Sequence, residues 1–178
     1  MGLVMEGSRL WAHVAELHDG LFALLGRAAT AAGLTVRQRG VLVAAAAAAR
    51  GDSYCSLAWG TKLGREAGGE LAAAVLRGSD DELAPEDRAL ARWARRVVAD
   101  PNAIGETDVQ ELRDAGFTDA QVLALTAYVA LRLAFSTVND ALGVRPEPEL
   151  VRGAPDAVRQ AVTWGRGAEE WRRGESNP

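Results

Sequence analysis

Apolar residues recur along most of the chain at the three- and four-residue steps of amphipathic helices. The first stripe consists of Leu10, Val14, Leu17, Leu21, Leu24 and Leu25. It predicts a helix from Ser8 to about Ala32 whose stripe faces a core. Alternating strand patterns of useful length and long internal repeats are both missing from the sequence. The pattern therefore predicts an all-α fold of about eight helices.

Capping residues mark where the second and third helices begin. Thr35 with Gln38 forms a capping box, and the helix it starts ends at Gly51. This helix carries six consecutive alanines, Ala44 to Ala49, which favour helix and allow another backbone to approach closely. We therefore expect a packing seam there. Asp52 or Ser53 caps the third helix, which runs toward Gly68.

Start and stop signals predict five further helices. They run from Glu70 to Arg77, from Pro85 to Asp100, from a Thr107 cap to Gly116, from a Thr118–Gln121 capping box to about Leu142, and from Pro155 to Arg173. Trp164 and Trp171 would share a face of the last of these helices. The helix that ends near Leu142 is apolar nearly all round, which predicts burial on both sides.

Length and charge restrict the class of protein. A chain of 178 residues fits one domain, 1–178, and its net charge of -4 comes without a basic stripe, so nucleic acid is not an expected partner. Val122 to Phe135, the most apolar segment, is too short to cross a membrane and carries Arg132. The single cysteine and the absence of a secretory signal pattern predict a reducing, cytoplasmic location.

That cysteine, Cys55, lies in the first turn of the third helix. If Asp52 is the N-cap, the free backbone N–H groups and the helix dipole stabilise a Cys55 thiolate, whereas the Asp52 carboxylate opposes it. Asp52 is either a cap alone or also an acid–base group for the sulfur. Tyr54 and Trp59 flank the thiol, and Trp59 lies one turn along the same face.

The histidines do not point to a metal. His13 and His18 fall on the first helix, and two isolated histidines with one cysteine match no recognised zinc or iron spacing. We therefore expect no metal and no cofactor.

Two segments of the sequence resemble a known superfamily. The first is "RQRGVLVAAAAAARGDSYCSLAWGTKLGREAG", and the second is "LRDAGFTDAQVLALTAYVALRLAFSTVNDALGV" with its Asn-Asp-Ala-Leu-Gly ending. In order and spacing they are similar to the core of the carboxymuconolactone decarboxylase and alkylhydroperoxidase D superfamily, over roughly residues 35–145. The resemblance implies a multi-helix alkylhydroperoxidase D-like bundle that assembles as a symmetric homo-oligomer.

The peroxidase branch of that superfamily has the pattern Cys-x-x-Cys-x-x-x-His, with a Glu on the preceding helix. Cys55 matches the second cysteine, which attacks the peroxide. Asp52 stands where the first cysteine is expected, Trp59 where the His is expected, and Gly40 near the position of the Glu. An oxidised Cys55 therefore needs a thiol from outside the chain to resolve it.

Three functions follow as hypotheses. The first is an antioxidant, thiol-dependent reductase of small organic hydroperoxides, with Cys55 as nucleophile, Asp52 as proton shuttle and an external thiol as reductant. The second is a degenerate member that binds a ligand or serves assembly, with Tyr54 and Trp59 lining the former active site. The third is a lactone-acid decarboxylase in which Arg132 holds the substrate carboxylate. In the oligomer, Arg132 is expected to pair with a carboxylate, because a buried unpaired guanidinium is costly.

Overall fold

A computed structural model describes residues 6–81 and 83–167 of the chain. Over these residues it is all-α, as predicted, with no strand. The helices are α1 (Glu6–Trp11), α2 (Ala15–Ala31), α3 (Val36–Arg50), α4 (Ser53–Ala67), α5 (Gly69–Arg77), α6 (Pro85–Ala99), α7 (Glu106–Asp114), α8 (Asp119–Ala141), α9 (Pro148–Gly153) and α10 (Asp156–Ala161). Short 3-10 turns cover Ala12–Val14 and Pro101–Ala103.

Helix α3 lies at the centre of the bundle and contacts α4, α5, α6 and α8. Its Thr35–Gln38 capping box is present, and Gly51 ends the helix in the left-handed conformation at φ 76°. Ala44 to Ala47 are buried, as the predicted packing seam requires, but the seam stops there because Ala49 is exposed. Gly40 lets α3 approach α4 closely, because a Cβ there would lie 3.2 Å from the Cβ of Leu63.

Helix α8 packs against α2, α3, α6 and α7 and begins at the predicted Thr118–Gln121 capping box. Within the chain one face of α8 is exposed, formed by Leu123, Ala127, Ala130 and Ala134, so burial on both sides stays a prediction for the oligomer. Within the described ranges, α8 is the one helix long and apolar enough to cross a membrane by length and composition alone. Core helices of soluble bundles pass the same test, and α8 buries the polar side chains of Arg132 and Ser136 inside the bundle.

The first predicted helix is interrupted, and most of its apolar stripe is not buried. A 3-10 turn at Ala12–Val14 separates α1 from α2. Leu25 is buried, but Val14, Leu17 and Leu24 are 53%, 64% and 50% exposed. The prediction that the whole stripe faces a core is therefore wrong. The reason is geometric: α2 rests mainly on α8, so the core covers one side of the helix only.

Two further boundaries differ from the prediction. Helix α7 is capped at Gly105 rather than Thr107, because the Asp108 side chain accepts a hydrogen bond from the Gly105 N–H. The predicted C-terminal helix ends at Ala161, and its later part, with Trp171, lies outside the described residues.

The segment after α10 docks on the start of α4 instead of continuing as a helix. Ser53 Oγ donates a hydrogen bond to the Arg166 carbonyl at 2.7 Å, and Trp164 Nε1 donates to Ser56 Oγ at 3.4 Å. Gly165 turns there at φ 71°, where a Cβ would lie 2.7 Å from the Gly51 carbonyl oxygen. The tail therefore covers the outer side of the turn that carries Asp52.

Candidate functional site

Asp52 and Cys55 come together at the first turn of α4, as the sequence predicts. Asp52 is the N-cap, and its Oδ1 accepts a hydrogen bond from the Cys55 N–H at 2.8 Å, so Cys55 occupies the third helical position. Both residues are 1% exposed. This capping hydrogen bond holds the Asp52 carboxylate next to Cys55.

Helix α8 brings two further polar groups to the sulfur. Ser136 Oγ donates a hydrogen bond to Asp52 Oδ2 at 2.5 Å and lies 3.6 Å from Cys55 Sγ. Arg132 Nη2 lies 3.5 Å from the same sulfur. Thus Cys55, Ser136 and Asp52 form a connected hydrogen-bonding group, with the Arg132 cation also in contact with the sulfur.

The surroundings keep Cys55 protonated. Burial in an apolar cluster raises the pKa of the Cys55 thiol to about 12, and the Asp52 charge acts in the same direction. Arg132 and the Ser136 hydroxyl oppose this shift, while a hydrogen bond to Asp52 adds to it. In this site the stabilisation of a thiolate by the helix N-terminus is outweighed by desolvation. The resting state is a thiol that donates a hydrogen bond toward the Asp52 carboxylate.

Arg132 has no carboxylate partner among the described residues of this chain, so the ion pair stays a prediction for the oligomer. Its guanidinium packs on the rings of Trp59 and Phe135, with Cζ 5.2 and 5.1 Å from the two centroids. Cation–π contacts of this kind offset part of the cost of burying the charge. Its Nε is buried and has no hydrogen-bond partner within residues 6–81 and 83–167.

A cavity of about 270 Å³ opens onto this group. Cys55, Tyr54, Trp59 and Arg132 all line it, so the structure brings the predicted aromatic residues and the thiol to one cavity. Asp52 lies behind Cys55 and is not among the lining residues. Burial raises the pKa of the Tyr54 hydroxyl, which therefore remains protonated.

A second cavity of about 230 Å³ adjoins the first and shares Phe22, Trp59 and Arg132 with it. Arg39 and Tyr128 line this second cavity. Lys62 lies at the first cavity, with Nζ 4.4 Å from the centroid of Trp59. Lys62 and Arg132 therefore both make cation–π contacts with the Trp59 ring.

His18 also lines the first cavity and stacks on Phe22 at 4.3 Å, whereas His13 is exposed. Sequence reasoning assigned no role in the site to His18, Lys62, Arg39 or Ser136. For Ser136 a signal exists in the spacing: Arg132 and Ser136 are four residues apart, which puts two polar groups on one face of an apolar helix.

Gly40 stands near the position where the resemblance expects a glutamate on the preceding helix. A larger side chain does not fit there, since a Cβ at Gly40 would already lie 3.2 Å from Leu63. Within residues 6–81 and 83–167, no three His, Cys, Asp or Glu side chains cluster as a metal site would require. Among the described residues, the polar groups at the first cavity therefore include the Cys55 thiol, the His18 imidazole, the Tyr54 hydroxyl and two cations, with Asp52 and Ser136 next to the thiol.

A crystal structure described as an alkylhydroperoxidase AhpD core, an uncharacterized peroxidase-related protein from Ralstonia eutropha JMP134, has the same fold. The two chains superpose with a TM-score of 0.68 at 26% sequence identity, over 79% of this chain and 76% of the other. No protein-family model matches the sequence, and no curated protein matches it.

Proposed function

Because this chain belongs to the alkylhydroperoxidase D-like superfamily, we propose that it is a one-cysteine, thiol-dependent hydroperoxide reductase. The observation that carries the proposal is the contact group around Cys55: a carboxylate and a hydroxyl to take its proton, and a guanidinium 3.5 Å from its sulfur. Asp52 and Ser136 then take over the proton transfer that a Glu and a His perform in the family pattern.

The first half-reaction oxidises Cys55. Asp52 takes the thiol proton, directly or through the Ser136 hydroxyl, as the sulfur attacks the outer oxygen of the hydroperoxide. The O–O bond breaks, Cys55 becomes a sulfenic acid, and the proton passes to the departing alkoxide to give an alcohol. Arg132 stabilises the negative charge that develops on the sulfur and the peroxide oxygens.

The second half-reaction needs two equivalents of an external thiol, because the chain has one cysteine. The first equivalent condenses with the sulfenic acid, which releases water and leaves a mixed disulfide on Cys55. The second equivalent reduces that disulfide and restores the Cys55 thiol. This requirement supports a cytoplasmic location, where thiols are kept reduced.

One observation favours the second hypothesis, a ligand-binding protein without peroxidase chemistry. Cys55 is 1% exposed with a pKa raised to about 12, as for a packed, inert cysteine. In that case the first cavity still holds a small molecule between Tyr54 and Trp59, but Cys55 serves only as part of its wall. The two functions differ in whether Cys55 reacts with peroxide.

Trapping the sulfenic acid distinguishes them. The purified protein is incubated at neutral pH with an organic hydroperoxide and dimedone, and the adduct on Cys55 is followed by mass spectrometry. We expect rapid labelling, turnover of peroxide when an external thiol is added, and neither in Cys55→Ser. Labelling no faster than that of a free cysteine peptide would contradict the reductase and leave the ligand-binding function.

We also propose that the chain forms a homo-oligomer. Its support is the exposed apolar surface formed by Leu17 and Leu24 of α2 and by Val14 in the 3-10 turn just before that helix. Isolated apolar residues are common on monomer surfaces, but a group of exposed apolar side chains is typical of an interface. Light scattering at micromolar concentration tests this, with Leu17→Glu expected to lower the mass; a stable wild-type monomer would contradict it.

A further inference from the structure

Three cations line the two adjoining cavities. Arg132 lines both cavities, Lys62 lines the first and Arg39 lines the second. Among the described residues, none of the three forms an ion pair. This is unusual in a chain where Arg37, Arg92, Arg95 and Arg113 all pair with carboxylates.

Two of the cations also have unused donors. The Nε atoms of Arg39 and Arg132 are both buried and have no hydrogen-bond partner among the described residues. Arg132 is 94% buried, since its exposed fraction is 6%. A buried donor without an acceptor is costly, and an acceptor supplied by a ligand removes that cost.

The cations are close enough to influence one another. Lys62 is exposed to solvent but partly desolvated at the cavity, which lowers the pKa of its ammonium, and repulsion by Arg132 and Arg39 lowers this pKa further. Lys62 and Arg132 both lie over the Trp59 ring. Asp52 Oδ1 accepts a hydrogen bond from the Cys55 N–H, and Asp52 Oδ2 accepts one from Ser136. The Asp52 carboxylate therefore does not form an ion pair with these cations.

We propose that Arg39 and Lys62 bind the carboxylate of an acidic organic hydroperoxide, whose peroxide group then lies beside Arg132 and Cys55. The planar guanidinium presents parallel N–H donors that match the two oxygens of a carboxylate. The aromatic walls, Trp59 and Phe22, suit the carbon skeleton between the two groups. This inference rests on the proposed reductase function and names the substrate class of that same site.

The first test measures anion binding without any peroxide. Benzoate is titrated by calorimetry into the full-length protein, with benzamide as the neutral molecule of the same shape and inorganic phosphate as the competing anion. We expect benzoate to bind at least about 10-fold more tightly than benzamide. Equal binding of the two, or tighter binding of phosphate, would overturn the carboxylate site.

Variants locate the site. Arg39→Gln and Lys62→Gln should each weaken benzoate binding about 10-fold, and Arg65→Gln should not, because Arg65 is exposed on α4 and lines neither cavity. Lys62 is itself exposed, so its variant remains informative if Arg39→Gln folds poorly. An equal loss in Arg65→Gln would overturn the assignment, since the effect would then reflect general surface charge.

The second test separates the substrate class from the reductase function. The hydroperoxide of para-isopropylbenzoic acid and that of its methyl ester are compared as oxidants of Cys55. We expect the acid to react about 10-fold faster, and Arg39→Gln to abolish this preference. Equal rates would overturn the inference while the reductase stands. If neither compound oxidises Cys55 but benzoate still binds through Arg39, the reductase fails and the anion site stands.

Discussion

Replacing Asp52 with asparagine removes the carboxylate that touches Cys55 and leaves the helix cap in place. Asparagine is as good an N-cap as aspartate, and its Oδ1 can still accept the hydrogen bond from the Cys55 N–H. The Ser136 hydroxyl, which now donates to Asp52 Oδ2, would turn to accept from the new amide. We therefore expect the free energy of unfolding to change by less than about 1 kcal/mol.

The structure predicts opposite effects of this substitution on thiolate formation and on peroxide cleavage. With a pKa of about 12, about one Cys55 in 10⁵ is a thiolate at pH 7. The Asp52 charge is the second cause of this high pKa, after burial, so Asp52→Asn lowers the pKa and increases the thiolate fraction. Loss of a general acid–base group typically slows a reaction about 10²-fold or more.

Two reactions of Cys55 measure these effects separately. Alkylation by iodoacetamide needs a thiolate but no proton for its leaving group, so it should be faster in Asp52→Asn. Peroxide oxidation also needs a proton for the departing alkoxide, so it should be slower by about 10²-fold. Both rates are followed by stopped flow from pH 5 to pH 9.

Asp140→Asn is the matched control. Asp140 lies near Asp52, which helps burial to raise the pKa of Asp140, but its carboxylate makes no hydrogen bond to Cys55. We expect it to leave both rates close to wild type. If Asp52→Asn oxidises at least as fast as wild type throughout this pH range, Asp52 is not a proton shuttle and serves only as a cap.

Three further predictions concern stability and the thiol. The free energy of unfolding should fall as pH rises from about 9 toward about 12, because the Cys55 thiol loses its proton at lower pH in the unfolded chain than in the folded one. Urea titrations should show a smaller fall in Cys55→Ser than in wild type. The same fall in both proteins would refute the raised pKa of Cys55. Arg132→Met should keep or raise the free energy of unfolding, since no described carboxylate loses its partner. The variant should alkylate more slowly at Cys55, because Arg132 lowers the pKa of that thiol. A loss of several kcal/mol in stability would indicate a hidden ion pair. Gly60→Ala should lower the unfolding free energy by about 1–3 kcal/mol, because its Cβ would lie 2.8 Å from a valine methyl of α10. Gly20→Ala, which has open space around it, should be neutral or stabilising. Thermal melts compare the two variants, and equal effects would refute the packing argument.

The sequence alone determined most of the helices and the starts of those that carry the site. The capping boxes at Thr35 and Thr118 and the Asp52 cap involve bonds over three residues, so their signals are local. For the same reason the position of Cys55 in the first turn of α4 was predictable. One exception also has a local cause: Asp108 bonds back to Gly105 and shifts the start of α7.

Only the tertiary structure decided which faces are covered and what surrounds the thiol. Periodicity shows that α2 has an apolar stripe, but whether Leu17 and Leu24 are buried depends on what packs against that stripe. Arg132 and Ser136 reach Cys55 across 77 and 81 residues of chain, and neither distance follows from a local pattern. The sign of the shift in the Cys55 pKa follows from burial, which is a property of the packed bundle and not of the helix that carries the cysteine.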